Sequence, residues 1–269
     1  MYAIIEISIH TFDEMTADEM TLRNVAQTGS PSLQSHRNAD EDSLHNRLLN
    51  EWGTAIVNGD IPTGERMPEP SAELGNPSRT VTREVTRVLE YMGLVSVKRK
   101  AGATVNPPED WNLFDPQVIA WRLRGPNRAA VLHELSELRN AVEPTAARLA
   151  AQRSQGQDWS ALTEAAIDMV AHSHEANGAE YLDADMRFHT ALLNASGNSM
   201  FIALGGVITS TLQGRTEHEL MPAIADPQAL RLHGDVAAYI RQGNAQAAQA
   251  AMRAIVDESE DAIAQLTRQ

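Results

Sequence analysis

The second half of the chain repeats apolar residues at helical spacing and contains no sustained strand pattern. Its first helix starts near residue 131, and five more are predicted at about 158–174, 178–195, 198–216, 227–242 and 244–266. One face of the first helix carries Val131, Leu132, Leu135, Leu138, Val142 and Leu149. Amphipathic helices with no sheet beside them can bury their apolar faces only against one another. Residues 131–266 are therefore predicted to form an all-α bundle of about six helices.

Residues 43–106 change from a helical to a strand-like pattern along the segment. A helix over 44–57 is followed by a short helix around 70–74, and Ser78 is a suitable N-cap for a third helix over about 79–92. Residues 94–97 and 103–105 alternate as two strands around a basic turn at 98–102. This order of elements predicts a winged helix-turn-helix, so the fold class is mainly α with an N-terminal head and a C-terminal bundle.

The charges of the chain are unevenly distributed. Lys and Arg number 22 against 36 Asp and Glu, and a net charge of −14 argues against nucleic-acid binding by the chain as a whole. Residues 1–42 hold eight acids and two bases, whereas residues 79–100 hold six bases and two acids. One local basic surface on an acidic chain indicates a specific anionic partner, although a solvated charged face is the simpler explanation.

The motifs of the basic segment carry a family resemblance. They are Ile61-Pro62-x-Gly64, Met67-Pro68, Ser78-Arg79-Thr80-x-x-Arg83-Glu84-Val85, Leu89-x-x-x-Gly93-Leu94-Val95 and Gly102-Ala103-x-Val105. This pattern resembles the DNA-binding domain of GntR-family bacterial repressors. The resemblance implies that Arg79 and Arg83 contact operator DNA and that the wing reaches the minor groove or backbone. The expected DNA-binding set is Ser78, Arg79, Thr80, Arg83, Arg87, Lys98, Arg99, Lys100 and Gly102.

The segment departs from the family pattern in one place. About two residues fewer separate Pro68 from Ser78, and Ser71-Ala72-Glu73 stands where the family has a basic residue. The second helix is therefore expected to be short. A helical ligand-binding protein whose DNA-binding domain has decayed is one alternative that follows from this departure.

Asp185 and His189 lie four residues apart on one predicted helix face, beside the apolar Phe188. A carboxylate and an imidazole that project into a bundle form half of a site for a divalent metal. His233 begins another helical region and could join them. An ordinary Asp–His ion pair, or a core histidine with satisfied hydrogen bonds, explains the same spacing.

Arg139 and Glu143 have the same four-residue spacing, directly before Pro144. A buried arginine in a bundle can hold a carboxylate through two parallel hydrogen bonds. An ion pair on the helix surface is the alternative.

A second resemblance covers about residues 131–260. Glu137-Leu138-Arg139-x-x-x-Glu143-Pro144, Asp185-x-x-Phe188-His189, Ser196-Gly197-Asn198 and His233 look like the effector (FCD) domain of the FadR-type branch of the same family. The resemblance implies a metal held by Asp185, His189, His233 and a fourth residue, which here falls on Ile255. Either three residues bind zinc or a similar divalent metal together with effector oxygens, or these residues bind the effector without metal.

The linker sharpens this resemblance. Asp110-Trp111-Asn112-x-x-Asp115-x-x-Val118-x-x-Trp121 is similar to the sugar-acid regulators of this branch. The similarity implies an effector such as galactonate or a related aldonate. Arg139 is the candidate cation for its carboxylate, and Asp185, His189 and His233 are the candidates for its hydroxyls.

These patterns predict a homodimeric repressor of a sugar-acid operon, not an enzyme, that binds palindromic operator DNA. The expected parts are a disordered tail over 1–42, the head over 43–106, a linker with a short helix over 107–130 and the effector domain over 131–266. The main alternative is a metal-dependent enzyme built on Asp185, His189 and His233. The absence of cysteine is consistent with a reducing cytoplasm, and no signal peptide or membrane partner is expected.

Overall fold

The computed structural model describes residues 33–98, 102–218 and 220–266. The chain divides into two units, Met1–Ser43 and Leu44–Gln269, and the second contains the head and the bundle. The first helix, α1, spans Leu33–Val57, so it includes the last ten residues of the predicted tail. The rest of the tail, like Arg99 and Lys100 of the wing, lies outside the described residues.

The N-terminal head is a winged helix-turn-helix. After α1 come a single 3-10 turn at Ala72–Leu74, helix α2 at Arg79–Tyr91, and strands β1 (Val95–Lys98) and β2 (Gly102–Val105). The strands are antiparallel and pair Val95 with Val105 and Lys98 with Gly102. The core of the head consists of apolar residues from these elements, including Leu48, Trp52, Ile56, Val81, Val85, Leu89 and Leu94.

The start of α2 forms as its sequence predicts, whereas the second helix is reduced to one turn. Ser78 Oγ accepts a hydrogen bond from the Val81 amide at 3.3 Å, which satisfies one of the free amides of the helix start. Between the single turn and α2, Gly75 and Asn76 have φ values of 73° and 55°. Glycine and asparagine tolerate this left-handed conformation best, so the chain turns immediately after Leu74.

The C-terminal part is a bundle of helices. A connecting helix, α3 (Pro116–Arg124), precedes them, and they are α4 (Arg128–Arg153), α5 (Gly156–Ala171), α6 (Ala179–Ala195), α7 (Ser199–Ala203), α8 (Gly205–Glu217), α9 (Pro227–Arg241) and α10 (Ala245–Leu266). A 3-10 turn at Ser173–Glu175 precedes α6. Helix α4 packs against α6, α8, α9 and α10, so its inward residues face the centre of the bundle.

One predicted helix of the bundle is divided in the structure. The sequence predicts a continuous helix over 198–216, but α7 ends at Ala203 and α8 begins at Gly205. The pair Gly205-Gly206 explains the break, because each glycine costs about 1 kcal/mol relative to alanine inside a helix. None of the helices in the described ranges is long and apolar enough to cross a membrane.

Helix α3 (Pro116–Arg124) connects the head to the bundle and belongs to the core of both. Trp121 is fully buried in the apolar core of the head, and its Nε1 donates to Asn50 Oδ1 at 2.9 Å. Leu123 belongs to a second cluster, with Val207 of α8 and three residues of α4. The short helix predicted around the tryptophans therefore packs against both the head and the bundle.

Glycines on both neighbours allow this close packing. A Cβ at Gly53 of α1 would clash with the Trp121 ring. A Cβ at Gly214 of α8 would lie 2.5 Å from Leu123 Cδ1. Helix α3 is thus in direct contact with α1 on one side and α8 on the other.

Candidate functional site

Helix α2 presents a basic, solvent-exposed face. Val81, Val85 and Leu89 are buried, which leaves Arg79, Thr80 and Arg83 on the outer surface. The side chains of Arg83 and Arg87 are 65% and 63% exposed. Arg87 Nη1 lies 3.1 Å from Glu84 Oε1, an exposed ion pair of the kind that contributes little energy. Both arginines are therefore accessible to a nucleic-acid phosphate or base edge.

The hairpin adds a second part to this surface. Lys98 is exposed at the end of β1, and Gly102 has a φ of 81° at the start of β2. Arg99 and Lys100, which the sequence assigns to the tip of the wing, lie outside the described residues. A capped helix beside a basic hairpin has the shape that enters the major groove and contacts the neighbouring backbone.

A cluster of three buried polar residues lies in the centre of the bundle. Asp185 and His189 come from α6 and His233 from α9, and each is at most 6% exposed. Asp185 Oδ1 lies 3.2 Å from His189 Nε2 and 3.7 Å from His233 Nε2. One potential ligand atom from each residue lies within 4.8 Å of the others. The predicted contact of Asp185 with His189 therefore forms, and a second helix, α9, supplies His233.

The Nδ1 atom of each imidazole lies beside an oxygen of another residue. His233 Nδ1 lies 2.7 Å from the Ala229 carbonyl oxygen, which can only accept, so this nitrogen carries the proton. His189 Nδ1 lies 3.1 Å from Glu143 Oε2. Both Nε2 atoms are thus turned toward Asp185, and that of His233 has no hydrogen-bond partner among the described residues. A cation, either a proton or a metal, is needed between Nε2 and the carboxylate.

These residues fit a divalent metal such as zinc. Ligands at about 2.1 Å from a tetrahedral ion lie about 3.4 Å apart, close to the two distances at Asp185 Oδ1. Partners on the far nitrogen that orient each ring, here Ala229 and Glu143, are characteristic of metal-binding histidines. Ile255 lines the same cavity and cannot be a ligand, so the fourth position is left for a small molecule or water.

Arg139 and Glu143 form a buried ion pair beside this cluster. The side chains are 1% and 0% exposed, so the pair is not on the surface. Arg139 Nε and Nη2 donate to the two oxygens of Glu143 at 3.1 and 3.3 Å. Arg139 Nη1 is buried and has no partner in the described part of the chain. Two of the three guanidinium nitrogens are therefore occupied, and one remains for a ligand.

The charged groups of this site shift the pKa values of one another. Burial would raise the pKa of Glu143, but Arg139 and His189 lower it to about 2. Burial would lower the pKa of His189, but the charge of Glu143 and the hydrogen bond of Asp185 raise it to about 9. Burial would likewise raise the pKa of Asp185, and the hydrogen bonds and charges of the two histidines hold it well below its usual range. The site thus holds its carboxylates ionised in the middle of an apolar bundle.

The cluster and the ion pair open onto one cavity of about 210 Å³. This volume is below the ~300–1,000 Å³ typical of pockets for drug-sized ligands, and suits a small metabolite. The cavity is lined by Arg139, Tyr181, Asp185, His189, Arg215, His233, Ile255, Glu258 and Ser259, with residues 220–222 and 225–226 beside them. All four residues that the sequence assigns to the effector therefore lie in one place.

Five polar residues of the cavity were not predicted from the sequence. They are Tyr181 of α6, Arg215 of α8, Asp226 directly before α9, and Glu258 and Ser259 of α10. Arg215 gives the one usable signal, because it directly follows residues 188–214, a long stretch without a charged residue. Tyr181 and Ser259 have ordinary helical contexts, and only the packing of α6 and α10 directs them inward.

A larger groove lies on the outside of the bundle. It encloses about 620 Å³ between α5, α6 and α8, and Arg187 on its wall pairs with Asp168 and Asp183. None of its described lining residues has a buried polar atom without a partner. The smaller cavity is therefore the better candidate for a specific ligand site, because it contains the unpaired polar groups.

Similarities to known proteins agree with this arrangement. Residues 134–258 match the FCD domain. The galactonate operon transcriptional repressor of Escherichia coli (strain K12) is 31% identical over 225 residues, which cover 82% of this chain and 97% of that protein. The Uxu operon transcriptional regulator of the same organism is 32% identical over 153 residues, 55% of this chain and 57% of its own length.

A solved structure has a similar fold. It is that of Lar, described as controlling the expression of the Listeria monocytogenes agr system. The TM-score is 0.51 at 18% identity, and the match covers 84% of this chain and 97% of that one. At this identity the likeness concerns the fold alone.

Proposed function

Because the chain belongs to the GntR family of transcriptional regulators, in the branch with a C-terminal FCD domain, we propose that it represses an operon for sugar-acid catabolism. Binding of the acid releases the repressor from its operator. The family consists of transcriptional regulators, so a metal-dependent enzyme built on Asp185, His189 and His233 finds no support. The observation that carries the proposal is the cavity in the bundle, in which buried polar atoms without partners lie beside the Asp–His–His cluster.

Helix α2 is the proposed recognition helix. Arg79, Thr80 and Arg83 lie near its N-terminal end, where side chains of such helices reach base edges and phosphates. Lys98 and Gly102, together with Arg99 and Lys100, form the proposed wing, and Ser78 and Arg87 complete the contact set. The exposed arginines and the intact cap of α2 favour a working DNA-binding head over a decayed one.

The effector is proposed to be a sugar acid such as galactonate. A polyhydroxylated carboxylate needs a cation and many hydrogen-bonding groups, and both occur together in this cavity. Arg139 Nη1 can donate to an effector oxygen, whereas Asp185, His189 and His233 can bind hydroxyls. The galactonate operon repressor, which aligns over 97% of its length, supports this class of ligand.

A divalent metal is a compatible part of the same site. Asp185, His189 and His233 would hold it, and Ile255 leaves a coordination position for an effector oxygen. When bound, such an ion supplies a Lewis-acidic centre that strengthens binding of carboxylate and hydroxyl oxygens. The buried carboxylate of Glu143, 3.1 Å from His189 Nδ1, would orient this ring with or without the ion.

A homodimer is the proposed active form. Repressors of this architecture bind two half-sites, and a palindromic operator mirrors the two-fold axis of the protein. The effector therefore has to change how the two heads are presented, since it lies in the bundle and not on α2.

Helix α3 is the proposed connection between cavity and head. Arg215 of α8 lines the cavity, and its neighbour Gly214 packs directly on Leu123 of α3. Two residues earlier, Trp121 lies in the core of the head against Gly53. A ligand that moves α8 would thus move α3 and the head with it. This requires the effector to bind one of the two arrangements more tightly than the other.

Two measurements test the proposal. An electrophoretic mobility shift assay with the promoter of the operon that contains this gene should show sequence-specific binding, which weakens as the salt concentration rises. A thermal-shift screen of aldonates and uronates, with and without chelator, should then find an acid that raises the melting temperature. The proposal fails if no specific shift is seen at low salt, or if the pure protein converts an aldonate to product.

A further inference from the structure

Arg215 is the one arginine of the cavity without an ion-pair partner among the described residues. Its Nε is buried and makes no hydrogen bond. Burial, together with the nearby charge of Arg139, lowers the pKa of the Arg215 guanidinium to about 10. A partly buried cation whose Nε has neither water nor a hydrogen-bond partner lowers the stability of a folded protein, so its presence calls for an explanation.

The other cation of the cavity is already neutralised. Glu143 occupies both Nε and Nη2 of Arg139, in the paired geometry that a ligand carboxylate would otherwise adopt. A second carboxylate at Arg139 would meet the negative charge of Glu143. Arg139 therefore offers a single N–H donor at Nη1, which suits a neutral oxygen better than an anion.

The carboxylates that line the cavity have other roles. Asp185 lies between the two histidines, and Asp226 Oδ1 accepts a hydrogen bond from the Gln228 amide at 2.6 Å as the N-cap of α9. Burial and the charge of Asp226 raise the pKa of Glu258, which weakens it as a counter-charge. No carboxylate of the described residues lies within ion-pair distance of the Arg215 side chain.

We propose that Arg215, and not Arg139, binds the carboxylate of the effector, and that Arg139 Nη1 binds one of its hydroxyl oxygens. This assignment rests on the proposed function, because it concerns the same cavity and the same acid. Ser259 Oγ is also buried without a partner in the described chain, and it supplies a further contact for hydroxyls. The preferred ligand is thus an acid with a hydroxylated chain, and its carboxylate binds next to Arg215 of α8.

Two ligands that differ only at the carboxylate test this assignment. The full-length wild type and Arg215→Gln are titrated calorimetrically with galactonate and with galactitol, which has the same hydroxyl chain without the acid group. Loss of hydrogen bonds to a charged group should weaken galactonate binding roughly 10- to 150-fold in Arg215→Gln. Galactitol binding should not change. Arg215→Lys should bind galactonate with intermediate affinity, because it retains the charge without the paired donors.

Thermal unfolding without ligand separates this role from a structural one. Removal of an unpaired, partly buried charge should leave Arg215→Gln at least as stable as the wild type. Arg187→Gln, which removes an exposed arginine outside the cavity, should keep wild-type affinity for both ligands.

Three results for Arg215→Gln would overturn the assignment. They are a galactonate affinity within threefold of wild type, an equal loss of affinity for galactonate and galactitol, and a melting temperature clearly below that of the wild type. Failure of the wild type to bind any sugar acid would instead refute the proposed function itself.

Discussion

The contact between Gly214 and Leu123 provides the sharpest test of how the cavity communicates with the head. Alanine at position 214 would place its Cβ 2.5 Å from Leu123 Cδ1, and carbon atoms pack at about 3.5–4.0 Å. Either the Leu123 side chain must leave its present rotamer or helices α8 and α3 must separate by about 1 Å, and both changes are unfavourable because Leu123 is buried among close-packed neighbours.

Two opposing terms set the stability of Gly214→Ala. Overpacking costs about 1–3 kcal/mol, whereas alanine favours a helix over glycine by about 0.5–1 kcal/mol. A net destabilisation of about 1–2 kcal/mol should lower the melting temperature by roughly 2–8 °C. Gly234 in α9 is the matched control, since no atom lies within 4 Å of a Cβ there. Gly234→Ala should be more stable by about 0.5–1 kcal/mol.

The decisive readout is the ratio of operator affinities with and without galactonate, measured by fluorescence anisotropy. If α8 and α3 transmit effector binding, Gly214→Ala should change this ratio by about 0.5–2 kcal/mol, that is, roughly 2- to 30-fold. Gly234→Ala should keep the wild-type ratio. A wild-type ratio in Gly214→Ala, at a temperature where it is fully folded, would refute the role of this contact.

Three further predictions concern the head, the ion pair and the metal. Arg83→Ala should weaken operator binding by about 1–3 kcal/mol at an unchanged melting temperature. An operator affinity equal to that of the wild type would show that Arg83 does not contact the DNA. Glu143→Gln should cost about 3–5 kcal/mol in chemical denaturation because it leaves Arg139 buried without its partner, whereas the exposed control Asp183→Asn should cost at most ~1 kcal/mol. The pKa of Glu143 is lowered to about 2, so its stabilisation is complete above the ordinary value of 4.5 and is lost as the pH falls toward 2. The melting temperature of Glu143→Gln should therefore fall less than that of wild type over this range. Zinc at 100 times its Kd should stabilise the wild type by ~2.7 kcal/mol and leave His233→Ala unaffected, and equal shifts in both would exclude His233 as a ligand.

The local features of this chain are the ones that its sequence predicts well. The helix of Arg79–Tyr91, its Ser78 cap and the two strands of the wing depend on neighbouring residues only. The same holds for the spacing that places Asp185 beside His189. The break at Leu204 was missed because apolar periodicity continues through Gly205-Gly206, whose cost is local and small.

Features that depend on packing between distant helices could not be predicted in this way. Periodicity leaves open whether Arg139 and Glu143 are buried or exposed, since the i,i+4 spacing is the same in both cases. The place of Arg215 in the cavity follows from how α8 packs in the bundle, and the position of α3 follows from two glycines that lie far apart in sequence. Such contacts have no signature in a single sequence.

The proposed repressor binds an operator and releases it when a sugar acid enters the bundle. The most direct test is the anisotropy of a labelled operator with wild type and His189→Ala, each with and without galactonate. Both proteins should bind the operator specifically, and galactonate should release the wild type alone. Specific binding that galactonate does not change in the wild type, or release that persists in His189→Ala, would contradict this expectation.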